Sequence, residues 1–320
     1  MNLSLVIPVY NEQENLPFLF EAIQKTMAEV NQSWEAILVD DGSRDKSLSV
    51  LKQYAEKDPR HIRVISFRRN FGQTAAIAAG LDYAQGEIII LLDADMQNDP
   101  ADIPMMLAKL NEGYDLVSGW RKVRKDNAVT RNFPSMLANW LISRVTGVHL
   151  HDYGCTLKVY RRDVLEGFRL YGEMHRFIPV YASSVGANIT EVPVRHYPRK
   201  FGKTKYGLER TAKVILDLFT VKFLVAFASK PIYLFGGTGG LLMVMSAVIM
   251  IYLFIRRIFF LVGVTGSPLF QVSTMFFILG FQSMLMGLIA ELLVRTYHES
   301  QRKPTYTIRT TVNLEQDPRD

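Results

Sequence analysis

The sequence predicts an α/β protein whose sheet is mostly parallel, followed by a helical hairpin of membrane-spanning length. Short aliphatic runs alternate with amphipathic stretches between residues 3 and 119, as in successive βαβ units. One run, Ile88-Ile89-Ile90-Leu91-Leu92, offers apolar side chains to both faces, as a strand covered by helices on both sides does. Near the C-terminus, residues 232–255 and 269–290 carry no charged side chain. Each is long enough to cross ~30 Å of hydrocarbon.

The elements follow in order. Residues 3–9 form the first strand, Tyr10-Asn11-Glu12 the turn after it, and residues 14–30 an amphipathic helix. Residues 35–39 form a second strand that ends in Asp40-Asp41-Gly42-Ser43, and residues 46–56 a helix. A third strand over 62–67 and a helix over 74–83 lead into the Ile88 strand, which breaks into Asp93-Ala94-Asp95. Pro100 opens the next helix, with Leu107 and Leu110 inside it, and residues 116–119 are a further strand. The basic stretch 121–131 is expected to be a loop and 133–145 an amphipathic helix. Residues 152–160 begin in a turn and end in a strand, 176–186 are helical, and 189–196 form an edge strand broken by Pro193. Residues 199–207 are a basic loop punctuated by Gly202 and Gly207.

Composition changes at residue 211. Residues 214–227 are strongly apolar and suit helices lying in a membrane interface. The two uncharged spans follow, with Arg256-Arg257 between them. Lys222 and Lys230 precede the pair, and Arg295, Arg302 and Lys303 follow it. The positive-inside rule then places the N-terminal part and the tail in the cytoplasm. The expected organisation is residues 1–210 as a catalytic domain, 211–230 as interface helices, 231–295 as two transmembrane helices and 296–320 as a cytoplasmic tail.

The 320 residues are 48% hydrophobic, with a net charge of +6 and a pI near 9.2. That charge suits phosphate-bearing partners and anionic lipid. Nucleic acid is not expected, because no zinc finger, basic recognition helix or aromatic-basic RNA motif is present. Cys155 is the sole cysteine, so no intrachain disulfide forms. The first nine residues carry neither a basic leader nor a long apolar core, which speaks against a cleaved signal peptide.

Three strands end in polar clusters, at Tyr10-Glu12, Asp40-Asp41 and Asp93-Asp95, and a parallel arrangement sets all three along one sheet edge, where open α/β sheets bind ligands. Asp93 and Asp95, two apart on a strand, project together, and a cation would relieve their repulsion. Oxygen ligands suit Mg²⁺ or Mn²⁺. Neither a G-x-G-x-x-G turn nor a Walker lysine loop is present, which excludes an NAD-binding Rossmann motif and a P-loop. Taken singly, each acid is also an ordinary cap or turn residue.

Together, Val6-Ile7-Pro8-Val9-Tyr10-Asn11-Glu12, Val39-Asp40-Asp41-Gly42-Ser43-Arg44-Asp45 and Asp93-Ala94-Asp95-Met96-Gln97 resemble the family 2 glycosyltransferases with the GT-A fold, a Rossmann-like α/β domain. Arg68-Arg69-Asn70-Phe71-Gly72-Gln73, Gly119-Trp120-Arg121, Asp152-Tyr153-Gly154-Cys155 and the loop from Arg199 to Tyr206 extend the resemblance. The two spans are similar to the polyprenyl-phosphate branch, especially the bactoprenol glucosyltransferase type. The resemblance implies that Pro8, Tyr10, Glu12 and Asp40 or Asp41 hold the uridine of a nucleotide sugar. It implies that Asp93 and Ala94 contact the nucleotide, and that Asp95 and Gln97 bind Mg²⁺ or Mn²⁺ on the diphosphate. Arg121 would face the diphosphate or an acceptor phosphate, and Arg199 and Lys205 would close over the phosphates. Asp152 is the family's candidate base, or it orients a phosphate-binding cation. Inversion to a β-linked product is expected, with UDP-glucose as donor and polyprenyl phosphate in the bilayer as acceptor, in a bacterial-type inner membrane during assembly of a cell-envelope glycan. A flippase and a second copy of the chain are further partners compatible with that role. A processive polysaccharide synthase fits less well, because none of Trp34, Trp120 and Trp140 sits in a Gln-x-x-Arg-Trp motif. A catalytically inactive scaffold fits less well because the acids are intact in every motif.

Overall fold

The computed structural model describes residues 1–122, 139, 142–144, 146–165, 170, 174–198, 232–260, 263–300 and 306–314. The chain divides into two compact units, Met1–Val221 with Pro304–Asp320, and Lys222–Lys303.

The first unit holds strands β1 (Leu3–Val9), β2 (Trp34–Asp40), β3 (Ile62–Phe67), β4 (Ile88–Leu91), β5 (Leu116–Trp120), β6 (Lys158–Arg161), β7 (Ile189–Pro193) and β8 (Ile308–Val312). Its described helices are α1 (Leu16–Glu29), α2 (Ser47–Lys57), α3 (Gln73–Tyr83), α4 (Ile103–Asn111) and α5 (Ile178–Ser184). The strands form one sheet in the order β7-β5-β6-β4-β1-β2-β3-β8. β1 runs parallel to β2 and β4, and β2 parallel to β3. β6 is antiparallel to both β4 and β5, so β5 keeps the direction of the central strands, and β7 runs parallel to β5. The carboxyl ends of β1, β2, β4 and β5 therefore share one edge with the amino end of β6.

Alternation along β1 sends Leu3, Leu5, Ile7 and Val9 into one buried cluster. The i, i+3, i+4, i+7 stripe of α1, formed by Leu16, Leu19, Phe20 and Ile23, packs into the same cluster, as do Leu51 of α2 and Met106 and Leu110 of α4. The other face takes α3, whose small side chains Ala75, Ala76 and Ala79 let it lie close to β1. At the opposite end of the strands, Glu35 is fully buried. It is matched by Arg63 at 2.7 Å, the backbone N–H of Gln85 at 2.7 Å and the hydroxyl of Ser4, as a buried charge requires.

β8 departs from the sequence expectation, which set 296–320 apart as a tail. Five of those residues form β8, which pairs antiparallel with β3 and covers what would be its open edge. The β-branched run Ile308-Arg309-Thr310-Thr311-Val312 is the signal for it. Tyr306 stacks on Phe67 at 5.1 Å and donates its hydroxyl to Asp82 at 2.7 Å. Asn313 donates to the carbonyls of Ala55 and Ile62 at 2.8 and 2.9 Å.

The second unit is a hairpin of α6 (Ile232–Phe260) and α7 (Pro268–Ser300). Both helices outrun the uncharged runs. Helix formation continues past Arg257 and Glu291 because the breakers, Gly266 before Pro268 and Pro304, lie further on. Gly239 and Gly280 meet backbone to backbone: a Cβ on either would lie 2.6–2.7 Å from the other's carbonyl oxygen. Ser246 and Ser273 each donate to the other's carbonyl, at 2.8 and 2.9 Å. Both helices contain a span long and apolar enough to cross a membrane, and only 17% of each apolar window is buried within the structure. That exposure is unlike the core helix of a water-soluble protein and associates the chain with a membrane.

The loop beyond Lys122, the 133–145 helix apart from residues 139 and 142–144, and the interface helices of 211–230 lie outside the described residues.

Candidate active site

At the shared edge, β4 passes directly into Asp93-Ala94-Asp95. Asp93 accepts from the side-chain amide of Gln73, in the first turn of α3, at 2.8 Å. Burial, and then the charge of Asp95, push the Asp93 carboxyl above its ordinary value, against a hydrogen bond from Thr156 and the charges of Arg121 and Lys158. Met96 follows at φ 58°, a left-handed conformation unusual for a residue with a long side chain. That turn lets the Gln97 N–H donate back to Asp95 at 3.1 Å. The Gln97 amide nitrogen donates to the carbonyl of Tyr197 at 3.5 Å, which turns the amide oxygen away from that carbonyl. The Tyr197 N–H donates to the Gln97 carbonyl at 2.9 Å. Arg195 grips Asp102 through Nε at 2.8 Å and its own N–H at 2.7 Å. The segment before the basic stretch 199–207 is thus stapled to the loop after Asp95.

Beside it, Pro8 and Tyr10 are partly exposed at the end of β1, while Glu12, Asp40 and Asp41 are buried. Glu12 accepts from the side chain of Asn15 at 2.6 Å. Asp40 accepts from the Ser66 hydroxyl at 2.9 Å and the Ser43 N–H at 3.2 Å. Asp41 takes the Phe71 N–H at 2.6 Å, the Gly72 N–H at 3.0 Å and the Asn70 amide at 2.9 Å. It thereby shapes the Asn70-Phe71-Gly72 turn that opens α3. Burial raises the Asp41 carboxyl from 3.8 to about 6, opposed by the bonds from Phe71 and Gly72.

On the far side, Arg121 leaves the end of β5 and meets Asp152 in the turn before β6. The pair is bidentate, Nε to Oδ2 at 2.7 Å and Nη2 to Oδ1 at 2.9 Å. The Gly154 N–H also donates to Asp152, at 3.1 Å. The Asp152 carboxylate is 2% exposed, so its oxygens are committed within the protein. Burial works against the Arg121 charge, but the hydrogen bonds and charge of Asp152 outweigh it and hold the guanidinium above its ordinary value. Lys158 is buried at the start of β6 and donates to the carbonyls of Tyr153 and Cys155.

The family model described as "Glycosyl transferase family 2" matches residues 4–168. The dodecaprenyl-phosphate galacturonate synthase of Rhizobium johnstonii is 40% identical over 312 residues, which cover 97% of this chain and 92% of that protein. The chain belongs to glycosyl transferase family 2. The undecaprenyl-phosphate 4-deoxy-4-formamido-L-arabinose transferase of Pseudomonas aeruginosa is 36% identical over 97% of this chain and 90% of its own length. Among solved structures, glucosyl-3-phosphoglycerate synthase of Mycobacterium tuberculosis, in complex with Mn²⁺, UDP and phosphoglyceric acid, shares the fold. It is similar with a TM-score of 0.53 and 18% identity over 69% of this chain and 78% of that one. The expected GT-A sheet with its apolar C-terminal pair is therefore the architecture of this family 2 glycosyltransferase.

The structure brings Pro8, Tyr10, Glu12, Asp40, Asp41, Asp93, Ala94, Asp95 and Gln97 to one sheet edge, where the three polar strand ends were expected, and adds Arg121 and Asp152 to that edge through β5 and β6. Arg199 and Lys205 lie outside the described residues. Gln73, Lys158 and Arg176 join the site without having been anticipated. Lys158 left a signal, a lone charge inside Leu157-Lys158-Val159-Tyr160, whereas Arg176 left none. Among the described residues, no group of three or more His, Cys, Asp or Glu side chains is placed to enclose a metal ion. Two adjacent carboxylates and an amide oxygen instead fit Mg²⁺ or Mn²⁺, which take few protein ligands and complete their shell with water and substrate phosphate.

Proposed function

We propose that this glycosyltransferase moves a sugar from a uridine diphosphate donor to polyprenyl phosphate at the cytoplasmic face of a bacterial-type inner membrane, with inversion to a β-linked product. One juxtaposition carries the proposal: an acidic strand end lies beside an arginine clamped by Asp152, in a chain that matches polyprenyl-phosphate transferases over 97% of its length. Those relatives share polyprenyl phosphate in their names and differ in the sugar. The donor sugar is accordingly the open variable, and glucose, the sequence expectation, finds no counterpart in those two names.

Pro8 and Tyr10 offer a flat partly exposed surface to the base. Asp41 holds the turn that opens α3, and its remaining acceptor capacity faces nucleotide donors. Asp95 and the amide oxygen of Gln97 would hold Mg²⁺ or Mn²⁺, which when bound offsets the charge gathered by the departing diphosphate. The acceptor phosphate is already an anion at neutral pH, so the chain need not supply a strong base. Its task is to bring that anion into line with the anomeric carbon despite nearby carboxylates. Arg121 supplies the attraction, and Asp152 fixes the guanidinium instead of taking a proton. Arg199 and Lys205 are assigned to the closing of the phosphate site on the family resemblance.

The test is a panel of labelled donors, UDP-glucose, UDP-galacturonate and UDP-4-deoxy-4-formamido-L-arabinose, given to the purified full-length protein with undecaprenyl phosphate and Mn²⁺. One donor should label an acid-labile lipid. Label in a polymer would favour a processive synthase, and no label from any donor with no UDP binding would favour a scaffold.

A further inference from the structure

We infer that Arg176 is a second arm of the anion site that Arg121 forms, and that the two guanidinium groups together take the phosphate of the acceptor. The inference rests on the function proposed above and adds to it a residue from a different part of the chain.

The geometry centres on Gly154. A Cβ at that position would lie 3.0 Å from Arg121 Nη2, 3.7 Å from Arg176 Nη1 and 3.5 Å from Asp152 Oδ1. Two guanidinium groups, one from the end of β5 and one from the 3₁₀ turn Met174–Phe177, thus converge on a point kept clear by the absence of a side chain. Arg176 is held there from both sides. Met174 and Phe177 are 2% and 0% exposed, while Arg176 between them stays partly open to solvent. His175 Nδ1 lies 2.7 Å from the Thr74 hydroxyl in the first turn of α3, next to Gln73, which donates to Asp93. The turn carrying Arg176 is therefore fixed to the helix that also positions the acidic strand end.

Charge points the same way. Lys158 is buried close by, and its pKa falls from 10.5 to about 8, chiefly through burial; Cys155 and the charge of Asp152 oppose that fall, and the charges of Arg121 and Arg176 add to it. Arg121, Lys158 and Arg176 thus act on one another across the turn over residues 152–158, where Asp152 holds Arg121 through both oxygens. A phosphomonoester brings up to two negative charges and three acceptor oxygens, which two planar guanidinium forks can share. The diphosphate of the donor is assigned to the Asp95 side, so this second anion site suits the other substrate.

The test compares wild type, Arg176→Gln, Arg176→Lys and Gly154→Ala as full-length protein in detergent with Mn²⁺. Two readouts are taken: the KM for undecaprenyl phosphate with the donor that wild type uses, and the affinity for UDP by calorimetry. Arg176→Gln should raise the acceptor KM about 10- to 100-fold, the range of a lost charge-assisted hydrogen bond, and leave UDP affinity within about twofold. Arg176→Lys should recover part of that loss. Gly154→Ala, whose methyl group would lie 3.0 Å from Arg121 Nη2 and press that guanidinium aside by a few tenths of an ångström, should raise the acceptor KM with UDP affinity retained. An Arg176→Gln protein with the wild-type acceptor KM overturns the inference, and so does one whose UDP affinity falls in step with its acceptor KM. If Arg176→Gln does not fold, an unchanged acceptor KM in both Arg176→Lys and Gly154→Ala overturns it. A wild type that labels no undecaprenyl phosphate with any donor would instead sink the function proposed above.

Discussion

Asp152 illustrates how a residue type read from a motif acquires its role from its neighbours. Alone, an aspartate before Gly154 reads as a turn cap or a base. Bonded to Arg121 at 2.7 and 2.9 Å and 2% exposed, it holds a guanidinium in place, the geometry behind the positioning role proposed above. Asp152→Asn should therefore lower kcat/KM about 10- to 100-fold by loosening Arg121, while the pH profile keeps the wild-type shape. Loss of a single ionisation from the acidic limb of that profile would restore Asp152 as a base. Asp41 yields a prediction about stability. Its carboxyl is raised from 3.8 to about 6, so the folded state binds a proton that the unfolded state releases earlier. The contribution is fully present below the unfolded value and is lost as the pH rises through the folded one. Asp41→Asn cannot titrate, so its stability should fall less steeply than wild type between about pH 4 and about pH 6 in denaturant titrations. Equal slopes would contradict the assignment.

Among the elements, β8 was the least legible in the sequence, and the reason is physical. A five-residue strand carries little periodic signal, and its partner β3 lies far earlier in the chain, as in the pairing of Val64 with Val312. Its β-branched run favours an extended strand, but only tertiary pairing shows which edge it covers. The central strands were legible because an apolar run of the Ile88 kind tolerates no other environment. The three acidic strand ends were legible because parallel βαβ order alone places them at one edge. The place of β6, antiparallel between β4 and β5, was not legible, and it is what carries Asp152, Gly154 and Lys158 into the site. Beside β8, Tyr306 stacks on Phe67, Phe67 meets Phe71 edge-on at 5.6 Å, and the Phe71 N–H is held by Asp41. Tyr306→Ala should cost about 3 kcal/mol of stability in the detergent-solubilised protein and weaken UDP binding through this chain of contacts. Unchanged thermal unfolding would show that β8 is not an integral part of the sheet.

Over its full length, the chain leaves the catalytic unit after Val221, passes through the hairpin of α6 and α7, and re-enters the same unit from Pro304. Two helices long and apolar enough to cross a membrane are compatible with such a return, since two crossings bring a chain back to the side it left. The basic balance of +6 and the lysines and arginines flanking the hairpin suit an anionic surface that presents a phosphate headgroup. In the proposed reaction the acidic strand end would hold a divalent cation on a nucleotide sugar while a lipid phosphate attacks. The most direct test follows the transfer of label to undecaprenyl phosphate by wild type and by Asp95→Ala, each with Mn²⁺ and with a chelator in its place. Wild type with Mn²⁺ should label the lipid, and both chelation and Asp95→Ala should cut the initial rate by about 1,000-fold or more. Transfer by Asp95→Ala at the wild-type rate, or transfer indifferent to the chelator, would contradict it.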